Sequence, residues 1–169
     1  MLCLILVAFL AGMHPAVAES KRSPAGWFID DIPEALRLIR TADQVYILPV
    51  TCTEKRDPRL GGSVLTPHGD YKHVRPLGGG ARHRLQCLLG KESNWFHGFD
   101  NSVEAGPEPK NVGFIFRKGK DELVLLCYMR HRFEGTFNGE GTGGSLEEKP
   151  SDELEQWKKE YAKQELAIK

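Results

Sequence analysis

The chain opens on an uncharged apolar run, residues 2–12, followed by Met13, His14, Pro15 and the small-residue triplet Ala16-Val17-Ala18 ahead of Glu19. A short hydrophobic stretch, a helix-breaking proline and small side chains three and one positions before a cut form the layout of a cleavable signal peptide. Residues 1–18 are therefore expected to be a signal peptide cut after Ala18. Residues 19–26, polar and holding Pro24 and Gly26, are expected to be a disordered leader. At 11 residues the run falls short of the roughly 20 that span the hydrocarbon core, so no stable transmembrane anchor is expected. The chain reads as exported, periplasmic or secreted. No Lys or Arg precedes the run, so this expectation rests on the apolar stretch and the triplet.

Beyond the leader the pattern alternates between helical and extended periods. Asp31 and Glu34 have the spacing of an N-terminal capping arrangement with Pro33 between them, and Ile32, Ala35, Leu36 and Ile39 recur at helical spacing, predicting a helix over about 32–42. Residues 45–50 are β-branched and aromatic, a buried strand whose Pro49 marks a sheet edge or bend. Residues 53–62 are charged and turn-rich. Residues 63–66 allow a short strand, which 71–74 either extend or leave as a loop. After Gly78, Gly79 and Gly80, the residues Leu85, Leu88 and Leu89 predict a second helix over about 81–89, stopped by Gly90.

The clearest tertiary signal is a hairpin. Val112, Phe114 and Phe116 alternate with Gly113, Ile115 and Arg117, the turn is Lys118-Gly119-Lys120-Asp121, and residues 123–129 follow as a second strand. That strand is apolar on both faces and should lie centrally. Residues 130–137 continue it or make a further strand. Residues 135–145 hold five glycines and predict a flexible loop. A last helix over about 152–166 carries acids first and Lys158, Lys159 and Lys163 later, with Leu154, Trp157 and Tyr161 as its buried stripe and Glu155 paired with Lys159 on its exposed side. The prediction is a single α+β domain, 27–169. It has a small, mainly antiparallel sheet, a core hairpin at about 111–129 and three packing helices.

Charge changes this picture little. The chain has 23 basic and 23 acidic side chains, and none lies within residues 1–18, so bulk electrostatics points to no nucleic-acid partner. About 150 mature residues suffice for one domain that buries roughly two-thirds of its unfolded surface. Three cysteines follow the leader, Cys52, Cys87 and Cys127. In an oxidising compartment at most one bridge forms among them, by any of three pairings, and one thiol stays free. No C-x-x-C is present, which removes a thioredoxin-like redox site and a zinc ribbon.

Several motifs invite a chemical interpretation. Gly139, Gly141 and Gly144 match G-x-G-x-x-G, but no parallel β-α-β unit follows, so a linker is the better interpretation and no cofactor is expected. His68, His73, His83, His97 and His131 are the candidate metal ligands. His131 lies four residues after Cys127, but on one strand that is a separation of about 13 Å, too far for one ion. No short zinc signature occurs, and packing or surface histidines account for them as well. Cys127 sits in a core run, whereas Cys52 follows Pro49 into a charged segment and is the more accessible thiol. No G-x-S-x-G elbow is present. Trp95, Phe96 and Phe99 lie in the connection 94–109, either as core aromatics or as a partner surface.

The order of Val45-Tyr46-Ile47-Leu48-Pro49, residues 62–65, residues 85–89, Asn111-Val112-Gly113-Phe114 and residues 123–128 resembles small uncharacterised bacterial exported proteins. Members of that group carry a signal sequence or lipid anchor and a hairpin whose second strand ends in a cysteine-aromatic pair, matched by Cys127-Tyr128. A second cysteine often follows three residues later, and another precedes the first hairpin strand. Arg130 and the non-cysteine residues of 104–109 stand there instead. The resemblance implies export and brings no activity with it. The expected function is a non-catalytic envelope or secreted domain that binds a protein or other partner. The alternative is a small metal- or thiol-dependent hydrolase using some of His68, His73, His83, His97 and Cys52.

Overall fold

The computed structural model of the chain describes residues 28–57, 62–96, 111–128 and 131–167. The expected signal peptide and leader, His97 and Phe99 lie outside them. Eight strands form one mainly antiparallel sheet: β1 (Gln44–Asp57), β2 (Gly62–Gly69), β3 (Arg75–Pro76), β4 (Trp95–Phe96), β5 (Val112–Lys118), β6 (Asp121–Tyr128), β7 (Arg132–Phe137) and β8 (Glu140–Leu146). Their order is β2-β1-β5-β6-β7-β8-β4, with β3 pairing β1 beside it. Three helices complete the architecture, α1 (Pro33–Thr41), α2 (Gly79–Leu89) and α3 (Glu148–Ala167). The class is α+β, with a larger sheet than the sequence predicts. Among the described residues no helix is long and apolar enough to cross a membrane.

The hairpin forms as its alternation requires. Phe114 pairs with Leu125 and Phe116 with Leu123, while β6 lies between β5 and β7 in the middle of the sheet. Pro49 is the last residue of β1 paired with β5, and from Val50 onward the strand pairs with β2. Lacking an N–H, Pro49 cannot donate to the ladder, but its carbonyl accepts from the Asp70 N–H at 2.8 Å. Residues 53–57, predicted as a turn, instead continue β1 opposite β2. Ladder pairing to a neighbour overrides the poor strand propensity of Glu54, Lys55 and Arg56.

Two further predictions are corrected. The glycine-rich segment is not a flexible loop, because β7 and β8 form a hairpin in which every residue from Arg132 to Phe137 faces one from Ser145 to Glu140. Asn138 and Gly139 make its turn, both at positive φ. Gly135 is needed for close approach, since a Cβ there would lie 1.8 Å from the Val124 carbonyl oxygen. The last helix begins at Glu148 rather than near Asp152, with the Ser151 N–H donating to the Glu147 carbonyl at 3.0 Å.

The main core lies between the helices and one face of the sheet. Ala35, Leu36, Leu38 and Ile39 from α1, Leu85, Leu88 and Leu89 from α2, and Leu154 and Trp157 from α3 meet Val45, Phe114, Phe116, Leu123 and Leu125. Buried Gln86 joins α2 to the end of α1 by donating to the carbonyls of Ile39 and Ala42, both at 2.9 Å. A smaller cluster, Leu48, Ile115 and Val124 with Tyr46, Val74 and Leu126 against it, occupies the other face. No described helix shares that second cluster.

Candidate functional site

The second face of the sheet carries a polar cluster that begins where its apolar patch ends. Tyr128 closes β6 and Arg132 opens β7, and the two are paired in register. Residues paired across strands project from the same face, so the Arg132 guanidinium comes to lie over the Tyr128 ring, 5.8 Å from its centroid. The Tyr128 hydroxyl donates to the Glu134 carboxylate, and an Arg132 nitrogen stands 4.0 Å from the same carboxylate. Burial and then the Glu134 carboxylate push the Tyr128 phenol far above its ordinary range, with Arg132 opposing. On the same side, Cys52 of β1 is half-buried and accepts from the Asn111 amide at 3.5 Å.

The row extends to the sheet edge. Arg132 pairs with Ser145 of β8, and Ser145 pairs with Phe96 of β4. Tyr128, Arg132, Ser145 and Phe96 therefore form one cross-strand row on one face. Tyr128 and Ser145 are buried, the Arg132 side chain is 32% exposed, the Glu134 side chain 45% and Phe96 39%. The buried Ser145 hydroxyl has no hydrogen-bond partner among the described residues. From this row the Phe96 ring, the Arg132 guanidinium and the Glu134 carboxylate reach solvent, while Tyr128 and Ser145 lie buried beneath them.

A second polar group lies inside the main core. Cys127 is fully buried, and the Lys158 ammonium of α3 stands 3.4 Å from its sulfur. The same ammonium donates to Glu155 at 2.6 Å, with only 8% of the Lys158 and 15% of the Glu155 side chain exposed. Glu155 thus pairs inward with Lys158, not with Lys159 on the exposed side of the helix. Burial pushes the Cys127 thiol up against the pull of Lys158. Burial would lower Lys158, but the Cys127 sulfur and Glu155 carboxylate outweigh it and hold the ammonium above its ordinary value.

Among the described residues the sequence candidates lie in different parts of the fold. His68 of β2 hydrogen-bonds Thr53 across the ladder at 2.8 Å. His73 holds Asp70 at 2.6 Å, and this hydrogen bond keeps the Asp70 carboxyl below its usual range. His83 stands 3.7 Å from exposed Cys87 on α2, and His131 is in the turn between β6 and β7. No group of three or more His, Cys, Asp or Glu among the described residues is placed to hold a metal ion. No disulfide links Cys52, Cys87 and Cys127 to one another. Gly139, Gly141 and Gly144 belong to the β7–β8 hairpin rather than to a strand-to-helix turn.

Of the aromatic candidates, Trp95 takes the core alternative. It is 3% exposed, its indole N–H donates to the Leu89 carbonyl at 2.9 Å, and its ring meets Phe133 edge-on at 5.3 Å. Phe96, the next residue of the strand, points the other way and is exposed. Sequence reasoning missed Tyr128, Arg132, Glu134 and Lys158. The alternation of Arg132, Glu134 and Thr136 with Phe133, Gly135 and Phe137 was a usable signal for the first set, and Lys158 borders the Leu154-Trp157-Tyr161 stripe. No family model, curated protein or solved structure matches this chain.

Proposed function

We propose that the chain is an exported, non-catalytic domain of the cell envelope or secreted fraction. It binds a protein or other surface partner through Phe96, Arg132 and Glu134, which buried Tyr128 and Ser145 support from beneath. The observation that carries this reading is the row itself, which sets a 39% exposed phenyl ring and a one-third exposed guanidinium on one face of the sheet. Aromatic and Arg side chains with buried anchors are enriched at the centres of interfaces. Export is supported by the apolar run and Ala16-Val17-Ala18.

A photo-crosslinking residue in place of Phe96, in the full chain expressed from its own start, tests the surface. A discrete higher-mass adduct is expected from this position and not from the exposed α3 position Lys159, and Arg132→Gln should weaken it while the far-ultraviolet circular dichroism stays that of the folded chain. Equal labelling from both positions, or no adduct at Phe96, removes the reading. N-terminal sequencing of exported material should give Glu19 as the first residue. Recovery of an intact Met1 would remove the compartment.

A further inference from the structure

His83 and Cys87 stand one turn apart on the solvent side of α2, both exposed, with Nε2 and Sγ separated by 3.7 Å. Residues at i and i+4 lie on one helix face, one above the other. In tetrahedral zinc sites Zn–S is about 2.3 Å and Zn–N about 2.0–2.1 Å, which places the two donor atoms about 3.5 Å apart at the tetrahedral angle. The observed separation is close to that bite, so a cation could take the position between the two atoms with little side-chain movement. Imidazole and thiolate together form a donor pair suited to zinc, where carboxylate and carbonyl oxygens suit magnesium and calcium.

The backbone under the pair is held. Leu85, Gln86, Leu88 and Leu89 are buried on the opposite side of the helix, and Gln86 is fastened to two carbonyls of the α1 terminus. Side chains on a helix lean toward its N-terminus, which directs His83 over Gly79 and Gly80. A Cβ at either glycine would meet nothing within 4 Å, leaving room for a hydrated ion. The flanking cations are engaged elsewhere, since Arg82 donates to the Asp43 carbonyl at 2.7 Å and Arg84 pairs with Glu160 at 2.5 Å.

We propose that His83 and Cys87 form a two-ligand site for zinc on the outer face of α2, with water completing the coordination. The Cys87 sulfur gives up its proton to solvent as the Zn–S bond forms, and neutral His83 donates the Nε2 lone pair while Nδ1 keeps its hydrogen. No change of oxidation state occurs. The site is separate from the Phe96–Tyr128 row, and its success or failure leaves that reading untouched.

The test is alkylation of the reduced full chain with iodoacetamide, with and without zinc, read thiol by thiol by peptide mapping. The thiolate is the reacting species, so zinc should slow labelling at Cys87 by about tenfold or more, reversibly on adding a chelator, with Cys52 little affected. His83→Ala should remove the protection while the far-ultraviolet circular dichroism stays unchanged, and cobalt should give a thiolate charge-transfer band that Cys87→Ser lacks. Unchanged labelling at Cys87, or protection that survives His83→Ala, overturns the proposal.

Discussion

The Lys158 ammonium stands 3.4 Å from the Cys127 sulfur beneath the central strand of the sheet, and the carboxylate that neutralises it, Glu155, is one helical turn back. Removing one partner of a buried ion pair leaves an uncompensated charge in a medium that solvates it poorly. Glu155→Gln should cost roughly 3 kcal/mol, the low end for such pairs because the carboxylate is partly open to water. The double variant Glu155→Leu/Lys158→Met should lose less than Glu155→Gln alone. Urea unfolding of the three proteins decides it, and a Glu155→Gln loss below about 0.5 kcal/mol would show that the pair is not effectively buried.

Stability should fall in alkali. Cys127, Tyr128 and Lys158 all have their proton affinities raised in the folded state. The unfolded chain therefore gives up protons that the native chain still holds, and stability decreases as pH rises. The loss begins near the unfolded thiol value of about 8.5 and deepens above about 10, where unfolded tyrosine and lysine titrate. Denaturation midpoints from pH 7 to 11 should show this limb. Cys127→Ala should flatten its first part and Tyr128→Phe its second.

Trp95 and Phe96 are neighbours with opposite roles. Trp95→Ala removes a ring that is 3% exposed together with its bond to Leu89, and should cost about 3–5 kcal/mol. Phe96→Ala should change stability by less than about 1 kcal/mol. Parallel unfolding curves suffice, and equal losses would contradict the assignment of Trp95 to the core and Phe96 to the surface.

Gly135 should tolerate substitution worst among the sheet glycines. An added Cβ would meet the Val124 backbone, whereas at Gly113 it would meet the movable side chains of Leu48 and Leu126 at 2.7 and 2.9 Å. Gly135→Ala should cost about 3 kcal/mol or fail to fold, and Gly113→Ala about 1–2 kcal/mol. Thermal midpoints of the two variants give the comparison. A milder effect at Gly135 would mean that β6 and β7 separate readily there.

Elements with a strong local period were legible from residues alone. Ala35, Leu36 and Ile39 marked α1, Leu85, Leu88 and Leu89 marked α2, and the alternation through Phe114 and Phe116 gave the β5–β6 hairpin and its central place. Each of these segments buries one stripe or one face, and such burial leaves a periodic trace. The stretch 53–57 and the glycines of β8 carried no such trace. Their conformation depends on a partner strand that satisfies the backbone, as Arg56 opposite Ser63 and Thr136 opposite Gly141 show.

The candidate surface divides in the same way. The sequence by itself determined that Phe96 and Trp95 are adjacent aromatics, that Tyr128 ends an apolar strand and that Arg132 and Glu134 alternate with Phe133. It also carried the expectation of export, in residues outside the described fold. Only the tertiary structure decided that Trp95 turns inward and Phe96 outward, that Phe96, Ser145, Arg132 and Tyr128 share one row, and that Lys158 reaches Cys127 from 31 residues away. The physical reason is register. Which side chains meet across a sheet is fixed by backbone hydrogen bonds between strands distant in sequence, and those bonds involve no side-chain identity from which the meeting could be read.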